Sequence, residues 1–193
     1  MNAPQLRVLL VDASDRGDIA TYTDGLLDGL RRSGIDARLC APGGRAEGSP
    51  ALARRLWGYE IAGMGRLRIY RRGLVETAAG AVSFTRAVRT VRPDVINVHT
   101  NVTPRFDPLL FRALGRLAPV VVTAHDAIPH DGGATAFRRQ ARVWRSCDAI
   151  VIHGGDVRRT VAEAAPGALV QVVPVDLPVG RATEPQTARE RLG

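Results

Sequence analysis

The chain holds four histidines, His99, His125, His130 and His153, and each falls at or just past the end of a short apolar run. Polar clusters accompany them. His99 leads into Thr100, Asn101 and Arg105; His125 into Asp126, His130 and Asp131; His153 into Gly154, Gly155 and Asp156. A further cluster, Asp12, Ser14, Asp15, Arg16, Gly17 and Asp18, follows the first apolar run. Imidazole donates, accepts and titrates near neutral pH, so it suits contact with a hydroxyl or a phosphate. One histidine at a strand end is ordinary. Four on one predicted edge point to a shared ligand cleft.

Several chemistries are excluded by spacing. There is no His-x-x-x-His or Cys-x-x-Cys pair, and Asp126 with Asp131 is a loose couple, so no metal site is expected. No serine sits on a Gly-x-Ser-x-Gly elbow. All 27 basic residues are arginine, so a P-loop lysine is impossible, and Gly-x-Gly-x-x-Gly is missing from the first loop. Arg16-Gly17-Asp18 matches an adhesion tripeptide, but it lies between a buried-strand pattern and an amphipathic helix with no export signal before it. A strand-to-helix turn, with Asp18 as a helix cap, is the better reading.

The elements that must position these residues alternate along the chain. Residues 6–12, 35–42, 94–100, 118–126, 148–154 and 168–175 read as six strands buried on both faces. Between them lie helical stripes. Ile19, Tyr22, Leu26, Leu27 and Leu30 mark one that stops at Ser33-Gly34, and Ala81, Phe84, Val88 and Val91 mark another that stops before Pro93. Further helices are expected in "DPLLFRALGRL", "ATAFRRQARVWRSC" and "DVRRTVAEAA". The alternation predicts an α/β, Rossmann-like, doubly wound and mainly parallel sheet of about six or seven strands with helices on both faces. In such a sheet ligands bind beyond the carboxyl ends of the strands, which is where the polar clusters fall. Residues 43–73 break the alternation as a long glycine- and arginine-rich insertion, and 179–193 reads as a linker with the start of a helix.

At 193 residues with 45% hydrophobic content the chain suits one domain with a sizeable core. Cys40 and Cys147 read as separate reduced core thiols. The formal charge of +8 favours anionic partners, but only 5% of residues are aromatic and no basic stripe is interleaved with rings, so nucleic acid is not expected. No apolar run reaches the ~20 residues that cross a bilayer, and "MNAPQLRVLLVD" lacks signal-peptide features, so the expectation is a cytoplasmic protein. Arg54, Arg55, Arg66, Arg68, Arg71 and Arg72 lie among Leu56, Trp57, Leu67, Ile69 and Tyr70. This composition suits peripheral contact with an anionic membrane face, against the plainer alternative of a solvated loop over the sheet edge.

The order of motifs resembles the N-terminal, acceptor-side domain of GT-B fold retaining glycosyltransferases of family four. The likeness is carried by "RVLLVDASDRGDIATYTDGLLDGLRRSGIDARLCAP", "VRPDVINVHT", "VVVTAHDAIPHDG", "CDAIVIHGGDVRRTV" and "VQVVPVDLP", which span nearly all of residues 6–178. The resemblance implies half of a hexosyltransferase-type enzyme: residues 1–178 form the Rossmann-like domain, and 179–193 lead into a C-terminal donor domain. The nucleotide-sugar is then a substrate, no further cofactor is implied, and the isolated domain is expected to be inactive. By the same resemblance Gly17 matches the loop that approaches the donor diphosphate, with Asp18 beside it, and the helix start near Ile19 favours that anion. His125 matches the histidine that contacts the donor sugar, with Asp126 its neighbour as the second catalytic candidate. His99, Thr100, Asn101 and His153 are expected to line the acceptor pocket.

Three departures stand out. Asp18 replaces the second of two glycines, Asn97 replaces a first histidine, and Gly154 replaces a serine after His153. They leave open an alternative, a non-catalytic glycosyltransferase-like binding or partner domain. A receiver or flavodoxin-like module, suggested by "VLLVDASD", lacks the lysine it requires.

Overall fold

The computed structural model describes residues 5–12, 18–42, 51–52, 82, 85–99, 107–128 and 133–175. In chain order the elements are β1 (Arg7–Val11), α1 (Asp18–Arg32), β2 (Asp36–Pro42), β3 (Ala51–Leu52), α2 (85–91), β4 (Val95–Val98), α3 (Asp107–Leu114), β5 (Val120–Ala124), α4 (Gly133–Trp144), β6 (Ala149–Ile152), α5 (Arg158–Ala164) and β7 (Leu169–Val172). The strands form one sheet in the order β3-β2-β1-β4-β5-β6-β7, with every neighbouring pair parallel. All six strands expected from the sequence are present. The seventh, β3, was hidden inside the stretch read as an irregular insertion; it is two residues long and pairs with the end of β2. A two-residue edge strand leaves no alternating pattern to read.

The apolar runs make strands because β-branched and aliphatic side chains are needed on both faces of a parallel sheet. Register sorts them. Leu9, Ile96 and Val120 lie side by side on one face, as do Val122 and Ile150. On that face they join Val88, Val91, Phe111, Leu114, Val143, Trp144 and Val161 from α2 to α5 in one buried cluster. Val8, Leu10, Ala37 and Leu39 face the other way and pack against Leu26, Leu27 and Leu30 of α1. Each fully buried aliphatic or aromatic side chain stabilises the fold by roughly 1.5–3 kcal/mol. Helices therefore cover both faces. The division follows from right-handed crossovers: β1 to β2 steps one way along the sheet, and the connections from β4 onward step the other way. The strand order reverses between β1 and β4, which places the crevice above those two strands.

Local chemistry fixes where the elements stop. At the end of α1, Gly34 adopts φ +78°, its N–H donates to Arg31 O at 3.0 Å, and the Ile35 N–H donates to Leu30 O at 3.0 Å. This is a Schellman motif, and the positive φ is why glycine stands there. α2 ends with Arg92 at φ 49° just before Pro93, whose ring disfavours a helical predecessor. Asp94 and Asp148, which head β4 and β6, each accept a neighbouring strand's first N–H: Arg7 N at 2.8 Å and Val120 N at 2.8 Å. Both carboxylates thus tie adjacent strands in register at the amino edge of the sheet, opposite the crevice.

Cys40 and Cys147 are free and buried, as expected, and burial pushes each thiol up to about 12. No helix among the described residues is long and apolar enough to cross a membrane.

Candidate functional site

Side-chain alternation carries the crevice residues onto one face. Val11 pairs with Val98 and Ala124 pairs with Ile152, so Asp12, His99, His125 and His153 each follow a strand's last core-facing residue by one position. Successive side chains in a strand point to opposite faces. All four are thereby turned away from the main core, toward the face that α1 covers. The ladder continues at least that far on β4 and β7: the His99 N–H donates to Val11 O at 2.8 Å and the Val173 N–H to Ile152 O at 2.8 Å.

α1 supplies the fourth ring. Its apolar stripe packs Leu26, Leu27 and Leu30 on the sheet, and one turn earlier the same stripe presents Tyr22 to the histidines. The Tyr22 ring centroid lies 4.9 Å from that of His125 with an interplanar angle of 84°. It lies 5.1 Å from His153 and 5.6 Å from His99. His125 in turn is 5.2 Å from His153 and 5.9 Å from His99. Three imidazoles from three adjacent strand ends therefore surround one phenol. Thr23, next in the helix, is fully buried and donates from its hydroxyl to Ile19 O at 2.8 Å, which holds this first turn down.

The electrostatics separate the members. His99 and Asp12 are fully buried at 0% exposure, while His125 and His153 are half-buried. Burial lowers the His125 pKa below the ordinary 6.5, the nearby His153 lowers it further, and Asp12 and Asp126 oppose the shift. Burial also raises the Tyr22 phenol, so both rings are neutral near pH 7. His153 Nδ1 lies 2.9 Å from Val173 O. The Nε2 atoms of His125 and His153 are buried with no hydrogen-bond partner among the described residues. Such a corner offers hydrogen-bond donors and acceptors to a ligand. Among the described residues no group of three or more His, Cys, Asp or Glu is arranged to hold a metal ion.

The sequence-based candidates thus divide. His99, His125 and His153 come together. Asp126 is exposed on the loop after β5, with its backbone oxygen accepting from Gln140 Nε2 at 3.0 Å. Asp18 is the first residue of α1, exposed, one turn before Tyr22; a carboxylate there sits favourably in the field of the helix N-terminus. Gly17, Thr100 and Asn101 lie outside the described residues, as do Arg105, His130 and Asp131. One of the departures acquires a physical reason. Asn97 Oδ1 accepts from the Thr123 hydroxyl at 3.0 Å and links β4 to β5. A Cβ at Gly154 would come against the Asp156 carboxylate, the end of an exposed side chain free to turn aside, so nothing in the structure explains the glycine. Tyr22 is the member that sequence reasoning missed as a site residue. It was legible only as one point of an apolar stripe, and the signal that finds it is its position one turn into the helix that follows the first strand end.

Comparison with known proteins bears on the fold and the family. No curated protein matches the chain. Its structure is similar to that of HepE from Anabaena, solved in complex with UDP and glucose, with a TM-score of 0.60, 15% identity, and coverage of 98% of this chain and 50% of that one. It is similar to UGT73P12 from Glycyrrhiza uralensis, solved with glycyrrhetinic acid 3-O-monoglucuronide, with a TM-score of 0.55, 10% identity and coverage of 88% and 48%. A sucrose-phosphate synthase chain from Thermosynechococcus elongatus gives a TM-score of 0.52 at 12% identity, covering 96% of each chain. The chain thus spans about half the length of the first two. At these identities the likeness speaks for the fold, which is that of a GT-B domain. The family model described as Glycosyltransferase Family 4 matches residues 19–175, from the first turn of α1 to just past β7, and the chain belongs to that family.

Proposed function

We propose that this chain is the N-terminal, acceptor-side half of an enzyme that moves a sugar from a nucleotide-sugar donor to a hydroxyl-bearing acceptor. The observation that carries this reading is the convergence of His99, His125 and His153 around Tyr22 at the carboxyl ends of a parallel sheet. Imidazoles and a phenol can orient hydroxyls, and orientation is a large part of what a transferase supplies. His125 places the donor sugar, with Asp126 its neighbour. The backbone around Gly17 and the start of α1 at Asp18 face the diphosphate, and His99, Thr100, Asn101 and His153 line the acceptor side. Residues 1–178 form the domain and 179–193 the linker to a C-terminal donor domain, which would hold most of the nucleotide-sugar. No cofactor beyond the donor is required. The same reading puts the protein in the cytoplasm, with the 43–73 segment either a peripheral contact with the inner face of the membrane or a solvated loop over the sheet edge.

Support comes from the family match and from HepE, a structural relative at twice this length that was solved with UDP and glucose. Closure of two domains over the crevice would exclude water from the transfer. The exposed carboxylate of Asp18 at the start of α1 favours a second reading, a non-catalytic partner domain, because it would repel a diphosphate. One assay separates the two: radiolabelled UDP-glucose, UDP-N-acetylglucosamine and GDP-mannose are offered with a crude glycan and lipid acceptor fraction. The full-length protein transfers label from one of them and the 193-residue chain alone transfers none. Absence of transfer from every donor by the full-length protein would favour the partner-domain reading.

A further inference from the structure

His153 is the member of the cluster whose proton can be placed from the described structure. Its Nδ1 lies 2.9 Å from Val173 O, and a carbonyl oxygen only accepts, so Nδ1 carries the hydrogen. In the neutral ring Nε2 is then a bare acceptor. That atom is buried, and no group among the described residues donates to it. A buried lone pair without a donor costs about 1–3 kcal/mol. The ring is nonetheless held firmly in place: Val173, just beyond β7, anchors one side, and the rings of Tyr22 and His125 stand 5.1 and 5.2 Å from its centre. An oriented acceptor at the strand ends, next to a second buried imidazole nitrogen, is suited to a ligand that brings a hydrogen.

The chemistry of that ligand follows from the tautomer. A carboxylate or a sulfate presents only lone pairs at neutral pH and is repelled by Nε2. A carbonyl fails for the same reason. A hydroxyl donates to Nε2 and keeps its own lone pairs for a neighbouring donor. We infer that His153 is a specificity-determining residue whose Nε2 accepts a hydrogen bond from a hydroxyl of the bound substrate, so that this corner of the crevice selects a polyhydroxyl group over an anion. The inference deepens the proposed function and rests on it for the identity of the site. A site built around a buried acceptor discriminates strongly against a group that cannot satisfy it, because the unpaired nitrogen is then left behind.

Two measurements test it. The first needs no ligand: imidazole 15N shifts of the 193-residue chain at pH 7.5 report the tautomer of each histidine. The expected result for His153 is a protonated Nδ1 and an unprotonated Nε2; an Nε2–H tautomer or an imidazolium overturns the inference. The second titrates methyl α-D-glucopyranoside and, separately, sodium sulfate, each to about 100 mM, which detects affinities in the millimolar range. The glucoside shifts the His153 Nε2 resonance saturably and sulfate leaves it in place. His153→Phe weakens the glucoside effect on the His125 resonance by roughly tenfold or more while the His99 resonance keeps its folded position. An equal response to both probes, a response to sulfate alone, or no response to the glucoside overturns it.

The fate of the wider reading remains distinguishable. If the full-length wild type and its His153→Phe variant transfer sugar equally, this inference falls and the transferase reading stands. If the wild type transfers nothing, the transferase reading falls, while the tautomer and glucoside results still decide the role of His153.

Discussion

His125 shows how the cluster sets its own chemistry. Burial disfavours the imidazolium, and His153 beside it adds a like charge whenever both are protonated, so the folded pKa lies below the ordinary 6.5 even with Asp12 and Asp126 pulling the other way. The consequence for stability has a definite sign. Below pH 6.5 the unfolded chain takes up a proton at this residue before the folded chain does. The stabilisation from keeping His125 neutral is therefore intact above pH 6.5 and drains away as pH falls toward the folded value. Titration of the His125 Cε1–H resonance is predicted to give a midpoint below 6.5 in the wild type and lower still in Asp12→Asn, which removes an opposing charge. A wild-type midpoint at or above 6.5, or a rise in Asp12→Asn, contradicts this account. At this scale the sequence disclosed the histidines, because imidazole carries recognisable chemistry wherever it stands. It did not disclose Tyr22 as their neighbour. A tyrosine at helical spacing reads as core, and only the crossing of α1 over the strand ends brings its ring to the three imidazoles.

At the scale of elements, apolar runs, stops and caps were legible because each has a local cause. β-branched residues, Ser33-Gly34 and Pro93 marked boundaries that the structure keeps within three residues. β3 was not legible, since its two residues are held by the end of β2 rather than by any preference of their own. The aspartates in "RPDVINV" and "CDAIVI" were legible as motif letters but not as parts: Asp94 and Asp148 turn out to fasten neighbouring strands. This makes Asp148 a residue of stability rather than of chemistry. Asp148→Ala removes the charged acceptor of the Val120 N–H and is predicted to cost about 1–2 kcal/mol in urea unfolding, with unchanged ligand response at His153. A wild-type denaturation midpoint would remove the strand-fastening role.

At the scale of the molecule, one topological fact organises the rest. Strand order reverses between β1 and β4, so polar residues that are far apart in sequence, Asp12, His99, His125 and His153, gather on one edge while the opposite edge carries the fastening aspartates. The alternation of elements made the doubly wound sheet readable, because hydrophobic period and turn chemistry agree along its length. The ligand was less readable, since a fold hosts many chemistries and the site alone decides among them. The chain spans about half the length of two GT-B relatives, and the account makes its crevice the acceptor-side wall of a two-domain transferase. The most direct measurement of that claim is sugar transfer by the full-length protein with wild-type His125 and with His125→Ala, the fold of each checked by circular dichroism and by the His99 resonance. The account predicts transfer by the wild type and a loss of roughly 100-fold or more in the variant at unchanged fold. Transfer by His125→Ala at the wild-type rate would contradict it.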